Sequence, residues 1–253
     1  MYEPDEWHEA FEVFRPAVQI ERRLWSGRLY KYCTNKVADL MLRNGSVCVG
    51  NAEYYRRMQN ARADHVDSIV SVHETIDSRI PPHRLSPMAQ QMFPAHHGVI
   101  FSDSLKINEY SDVNRLLYCV SYELSRTAAD TYDACVEITD PRAFFRELDK
   151  GLRLHIRMTR TSGVRVWAVS YLRGRAAPWL AAKNVPPCFF KDLDEFGHER
   201  EIRAAWDISC EPDAGPLIFN VTSIAPLLRR VDIPSPGMVG QFGETPTAPK
   251  DDR

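Results

Sequence analysis

The sequence predicts an α+β fold: a single domain of mixed, mostly antiparallel sheets around a cleft, with flanking helices. Three observations lead there. Residues 28–58 alternate strand, helix, strand and helix signals. Residues 98–221 carry a series of short apolar strand signals with one strong helix among them. The 253 residues are 44% hydrophobic and 26% charged, an ordinary globular composition, and no compositional seam divides them into two cores. The expected organisation is a helical extension over 1–27, a main domain over 28–233 and a disordered tail over 234–253.

Within the extension, Trp7, Phe11 and Phe14 recur at spacings of four and three between Asp5 and Arg15, giving a short helix an aromatic face that packs on the domain as a lid or brace. The aromatic run from Arg28 to Cys33 follows Gly27 and suits a strand. Asn35 is expected to cap a helix through Arg43, with Val37, Leu40 and Met41 as its apolar stripe and Asn44-Gly45 as its end. SVCVG returns as a strand, and Asn51 caps a further helix carrying Tyr54, Tyr55 and Met58. His65 to Ile76 reads as strand or helix, and Pro81 to Pro94 as a surface loop. Strands are then expected at Gly98–Phe101, Leu116–Ser121, Ala134–Ile138, Leu152–Met158 and Val164–Leu172, the last two forming a hairpin around Thr161-Ser162-Gly163. Asp140-Pro141 starts a helix whose Phe144, Phe145 and Leu148 face the core. Strands at Glu199–Ile208 and Pro216–Val221 and a helix from Ser223 to Arg230 complete the domain. After Pro234 the chain is rich in Pro, Gly, Thr and charge, with no periodicity.

Several function classes drop out. A net charge of −2 supplies no global field for nucleic acid or anionic lipid. The acidic start has no apolar h-region, so a secretory leader is not expected, and the longest apolar stretches are about half of the roughly 20 residues a spanning helix needs. No membrane association is expected. Six scattered cysteines without a C-x-x-C pair read as reduced thiols in a cytoplasm. Phosphate-loop, dinucleotide-turn, nucleophile-elbow and H-E-x-x-H signatures are absent. His96-His97 lacks a third ligand nearby, so no metal site is assigned.

The segment from Phe196 to Trp206 is different. A strand's period of two puts Glu199, Glu201 and Arg203 on one face, and His198, Arg200, Ile202 and Trp206 on the other. Two carboxylates and a guanidinium then line up, either as the solvated face of an edge strand or as a strand start emerging at the rim of a cleft. Tyr30 and Tyr32 share a face of the first strand, where their rings serve a core or stack on a ligand. Arg56, Arg57 and Arg62 offer forked donors to phosphate oxygens, or form a solvated helix face. Tyr132-Asp133, before the strand ACVEI, reads either as an ordinary turn or as a substrate contact at a loop tip. Asp64, Asp67, Glu199 and Glu201 would make a metal-dependent nuclease if they converged on Mg²⁺.

LYKY, the following helix with NGSVCVG, the strand LLYCVS and the late E-x-E-x-R together resemble the bacterial domain-of-unknown-function family 2971 over residues 28–233. That family's Asn-Asp-Pro-Phe turn is replaced here by the stretch from Arg62 to Asp67, which keeps only acidic positions. The same order of parts is similar to that of ADP-ribosyltransferases, including DarT-like toxins that modify DNA. This likeness implies an intracellular, NAD-consuming toxin or antiphage effector with a macromolecular acceptor and an antitoxin or trigger protein. Tyr30, Lys31 and Tyr32 then stand at the first-strand cofactor contact, Lys31 where a DarT-like toxin has His. Arg56 holds pyrophosphate and Ser121 ends the serine-bearing strand. Glu201 is the catalytic glutamate, with Glu199 before it orienting the nucleophile. The competing class is a non-catalytic ligand- or protein-binding module on the same fold.

Overall fold

The computed structural model describes residues 27–57, 69–77, 90, 102–111, 115–124, 132–156, 164–178, 185–207 and 215–233. The expected brace helix, the tail, the strand at Gly98–Phe101, His96-His97, Asp64 and Asp67 lie outside the described residues, as does the Pro81–Pro94 loop apart from Gln90.

The opening follows the expected order: β1 (Leu29–Cys33), α1 (Asn35–Asn44), β2 (Ser46–Asn51) and α2 (Ala52–Arg57). The cap of α1 is Thr34 rather than Asn35; its hydroxyl accepts from the Val37 N–H at 3.4 Å. Asn35 turns outward instead, donating from its side chain to Asp133 at 2.9 Å. Gly45 ends α1 in the left-handed region at φ 62°, and a Cβ there would stand 2.0 Å from the Val221 carbonyl oxygen, so only glycine fits. The Asn51 carboxamide oxygen accepts from the Tyr54 N–H at 2.7 Å and so opens α2.

The segment with two readings becomes β3 (Ile69–Asp77), paired with β4 (Ser102–Ser111), a strand the sequence pattern did not announce. β5 (Arg115–Ser121) and β6 (Ala134–Ile138) precede α3 (Pro141–His155), whose cap Asp140 accepts from the Ala143 N–H at 2.9 Å. Over Leu152–His155, where a strand reaching Met158 is expected, α3 continues instead, with Leu148 and Leu152 buried one helical turn apart, and 157–158 lie outside the described residues. The expected hairpin therefore fails as well. β7 (Arg165–Ala168) pairs with β11 (Glu201–Asp207) instead. β8 (Ser170–Leu172), β9 (Ala176–Pro178), β10 (Phe190–Asp192) and the four-residue α4 (Leu193–Phe196) fill the space before β11. β12 (Leu217–Asn220) leads into a 3-10 turn over Thr222–Leu227 and then β13 (Leu228–Val231). Pro226 inside the expected Ser223–Arg230 helix removes an amide donor, and the chain leaves as a strand beside β6.

The result is a mixed α+β domain with a mostly antiparallel sheet and few helices. Eight strands make the main sheet, ordered β12-β2-β5-β1-β6-β13, with β11 and then β7 on the other edge of β5. Every pairing in it is antiparallel. Two smaller sheets, β10-β8 and β4-β3-β9, contain parallel pairs. One face of the main sheet buries Tyr118, Ile202 and Trp206 against Phe144, Phe145 and Leu148 of α3. Each of these large apolar side chains contributes about 1.5–3 kcal/mol. The Trp206 indole N–H donates to Asp149 at 2.9 Å, which satisfies its one polar atom. The opposite face carries Leu117 and Ala205 under Cys188 and Phe189.

β5 is a branching point. Along its β11 edge it pairs from Arg115 to Ser121, while its other edge is shared between β2, at Leu116 and Leu117, and β1, at Ser121. Between them, among the described residues, Tyr118, Cys119 and Val120 have no strand partner on that edge. Two side chains answer carbonyls there: the Lys31 ammonium donates to Cys119 O at 2.7 Å and the Tyr55 hydroxyl to Leu117 O at 3.3 Å.

Candidate functional site

Strand pairing assembles a polar row across five adjacent strands. Glu201 of β11 faces Ser121 of β5, Ser121 faces Tyr30 of β1, Tyr30 faces Glu137 of β6, and Glu137 faces Arg229 of β13. Directly opposed residues in an antiparallel ladder lie about 4.5–5.5 Å apart at Cα and share a face. Tyr30, Ser121 and Glu201 are thus consecutive neighbours, on the sheet face away from α3.

Glu201 is 5% exposed and Arg203, two residues along the strand, is 1% exposed. This differs from a carboxylate at a cleft rim. Arg203 donates through Nε to Glu201 Oε1 at 2.8 Å, through Nη2 to Oε2 at 3.3 Å, and through Nη1 to Cys188 O at 2.7 Å. Lys191 of β10 completes the cluster, its Nζ lying 2.9 Å from Glu201 Oε2, 2.5 Å from Glu199 Oε2 and 4.7 Å from the centre of the Phe196 ring. The Tyr171 hydroxyl accepts from the Glu201 backbone N–H at 2.8 Å.

The period-two reading of Glu199 does not hold. Gly197–Glu199 is a 3-10 turn and Arg200 takes a left-handed conformation at φ 49°, so β11 begins only at Glu201. Glu199 nevertheless arrives beside Glu201, because Lys191 gathers both carboxylates. Burial opposes the charge on Glu201, but Arg203 and Lys191 outweigh it and hold the carboxyl well below the usual range. On Glu199 burial prevails over Lys191 and raises the pKa. Burial, reinforced by Glu201, pushes the Cys119 thiol far up, so it stays protonated.

The other expected site residues are placed as follows. Lys31 alternates to the face opposite Tyr30 and Tyr32 and lies 4.9 Å from the centre of the Tyr118 ring, in the fork beside β5. The Tyr32 ring stacks on Tyr132 with centroids 6.3 Å apart, and its hydroxyl donates to Glu123 O at 3.3 Å. The Ser121 hydroxyl donates to Glu123 O at 2.8 Å and accepts from the Glu123 N–H at 3.2 Å, a turn-stabilising pattern. Arg56 is half-buried on α2, which packs on β2 and β5. Asp133 anchors Asn35, accepting its backbone N–H at 3.0 Å.

Among the described residues no group of three or more His, Cys, Asp or Glu is arranged to hold a metal ion, and Glu199 and Glu201 enclose an ammonium instead. Sequence reasoning missed Lys191. The available signal was a lysine set directly after Cys188-Phe189-Phe190, all three buried. It also missed Glu137, the one charged residue inside the apolar strand ACVEI. Among the described residues no helix is long and apolar enough to cross a membrane. No protein-family model, curated protein or solved structure matches this chain.

Proposed function

We propose that the protein is an NAD-dependent ADP-ribosyltransferase that modifies an intracellular macromolecule, as a toxin or antiphage defence effector in a bacterial cytoplasm with an antitoxin or trigger protein. One observation supports this reading above the others: Tyr30, Ser121 and Glu201 are neighbours on three adjacent strands, beside the fork where β1 and β2 part from β5. An aromatic ring for the nicotinamide, a serine and an ionised carboxylate next to the ribose are the parts this chemistry needs. As the glycosidic C1′–N bond breaks, its electron pair leaves with nicotinamide and positive charge grows on the ribose, where a fixed carboxylate stabilises it. The acceptor's nucleophile bonds to C1′ and its proton passes to a base. Glu199 suits that step, since burial raises its pKa.

The reaction requires the ribose to take the place of Lys191 at Glu201. Lys191 already holds Glu199, so it can release one carboxylate without losing both partners. The full pairing of Glu201 favours the second reading, a non-catalytic ligand- or protein-binding module whose buried charges are structural. Incubation with labelled NAD and cell lysate separates the two. Label entering protein, DNA or RNA supports the transferase; a protein that neither binds nor consumes NAD across a panel of lysates is the module.

A further inference from the structure

At the far end of the row, Glu137 is buried at 1% exposure while the two arginines that pair with it are open to solvent, Arg28 at 61% and Arg229 at 58%. Arg28 reaches Glu137 Oε1 through Nη1 at 2.9 Å. Arg229 reaches Oε2 through Nε at 2.7 Å and also through Nη2. One carboxylate is thus set against two guanidiniums, which leaves an excess positive charge. A guanidinium has five N–H donors, so both arginines keep donors that do not point at Glu137. The Tyr30 hydroxyl stands next in the row and makes no hydrogen bond to a described residue.

A carboxylate needed only for charge balance would be matched by one cation. Here the buried acid fixes two exposed forks side by side, each with its flexible stem already ordered, and so lowers the entropy lost when an anion is gripped. We propose that Arg28, Arg229 and the Tyr30 hydroxyl form a binding site for the phosphate group of a small ligand, with Glu137 as the positioning residue. Tetrahedral phosphate oxygens accept from two forks and a hydroxyl at once, and the excess positive charge attracts the anion. The site lies three strands from Glu201, about 14 Å at normal strand spacing. It does not depend on the transferase reading, and its test uses no NAD.

The test is calorimetric titration of the full chain at low ionic strength with inorganic phosphate, pyrophosphate and ADP, which separates a single phosphate, a diphosphate and a nucleotide as the source. Saturable one-to-one binding of at least one probe is expected, weakened tenfold or more by Arg28→Gln or Arg229→Gln. Arg230→Gln should stay within twofold, because Arg230 points to the other face and pairs with Asp39 and Asn35. Glu137→Gln is the discriminating variant. It adds net positive charge, so general attraction would tighten binding, whereas loss of positioning loosens it several-fold. Arg229→Lys, which keeps the charge and loses the fork, gives the same discrimination if Glu137→Gln does not fold. Absence of binding by every probe at millimolar concentration, tighter binding to Glu137→Gln, unchanged binding to Arg229→Lys, or an equal loss in Arg230→Gln would overturn the proposal.

Discussion

Glu137 and Glu201 stand on one row of the same sheet, both buried and both held by two cations, but the cations differ in exposure. Around Glu201 they are Arg203 and Lys191, sealed under Cys188, Phe189 and the Phe196 ring. Around Glu137 they are Arg28 and Arg229, with most of their surface in water. Sealing the cations makes the outright loss of one costly, since a lone charge left in the interior has no water to fall back on. Leaving them open makes each replaceable, and frees donors for a ligand. The first cluster is suited to holding a carboxylate ionised and fixed. The second is suited to presenting guanidiniums.

The comparison is broken most directly by deleting one cation from each cluster. Arg203→Met leaves Glu201 with Lys191 alone and strips the Cys188 carbonyl of its donor, so urea denaturation should show a loss of about 3–5 kcal/mol. Arg229→Met leaves the buried Glu137 still neutralised by Arg28 and removes a cation that lies mostly in water, so it should cost under about 1 kcal/mol. Equal losses would mean that exposure does not separate the two clusters.

Acid sharpens the contrast by a smaller amount. Glu201 has a folded-state pKa depressed below the ordinary 4.5, despite burial, by Arg203 and Lys191. Its contribution is therefore fully present above that value and declines as pH falls below it, at up to about 1.4 kcal/mol per pH unit. Glu199 is shifted the other way and takes up its proton first, which does not weaken the fold. The stability gap between wild type and Glu201→Gln should then narrow below pH 4.5 in chemical-denaturation curves. A gap that stays constant into strong acid would show that Glu201 is not charged in the folded protein.

Ser121→Ala removes a hydroxyl bonded to Glu123 in its own turn and to the Arg200 carbonyl at 3.4 Å, and should cost about 1 kcal/mol. A loss several times larger, read by thermal melting, would place Ser121 in the sealed cluster rather than beside it.

Local rules made much of the scaffold legible. Aromatic alternation marked β1, the Gly45 stop closed α1, and Asp140-Pro141 opened α3. The run Leu152–Met158 alternates apolar and polar residues as a strand does, yet Leu148 and Leu152 also fit a helical stripe, and as far as His155 packing on the sheet decided for the helix. Period two placed Tyr30 and Tyr32 together, and pairing then brought Tyr30 to Ser121 and Glu201. It failed for Glu199, because the left-handed turn at Arg200 interrupts the strand. The Arg28–Glu137–Arg229 cluster was not legible, since it joins strands distant in sequence, whereas Lys191 meets the nearby Glu199 and Glu201 only through the helix and 3-10 turn between them.

The central claim is that Glu201 carries chemistry on NAD, and turnover of Glu201→Gln tests it most directly. NAD consumption should be compared in wild type, Glu201→Gln and Trp206→Phe. The last weakens the same strand from its opposite face by removing the bond to Asp149. All three are assayed at a temperature where circular dichroism shows them folded. Glu201→Gln should lose on the order of a hundredfold in turnover, as removal of preorganised charge stabilisation does, with NAD affinity changed far less. Trp206→Phe should keep turnover within a few-fold. A folded Glu201→Gln protein consuming NAD at the wild-type rate would contradict the account.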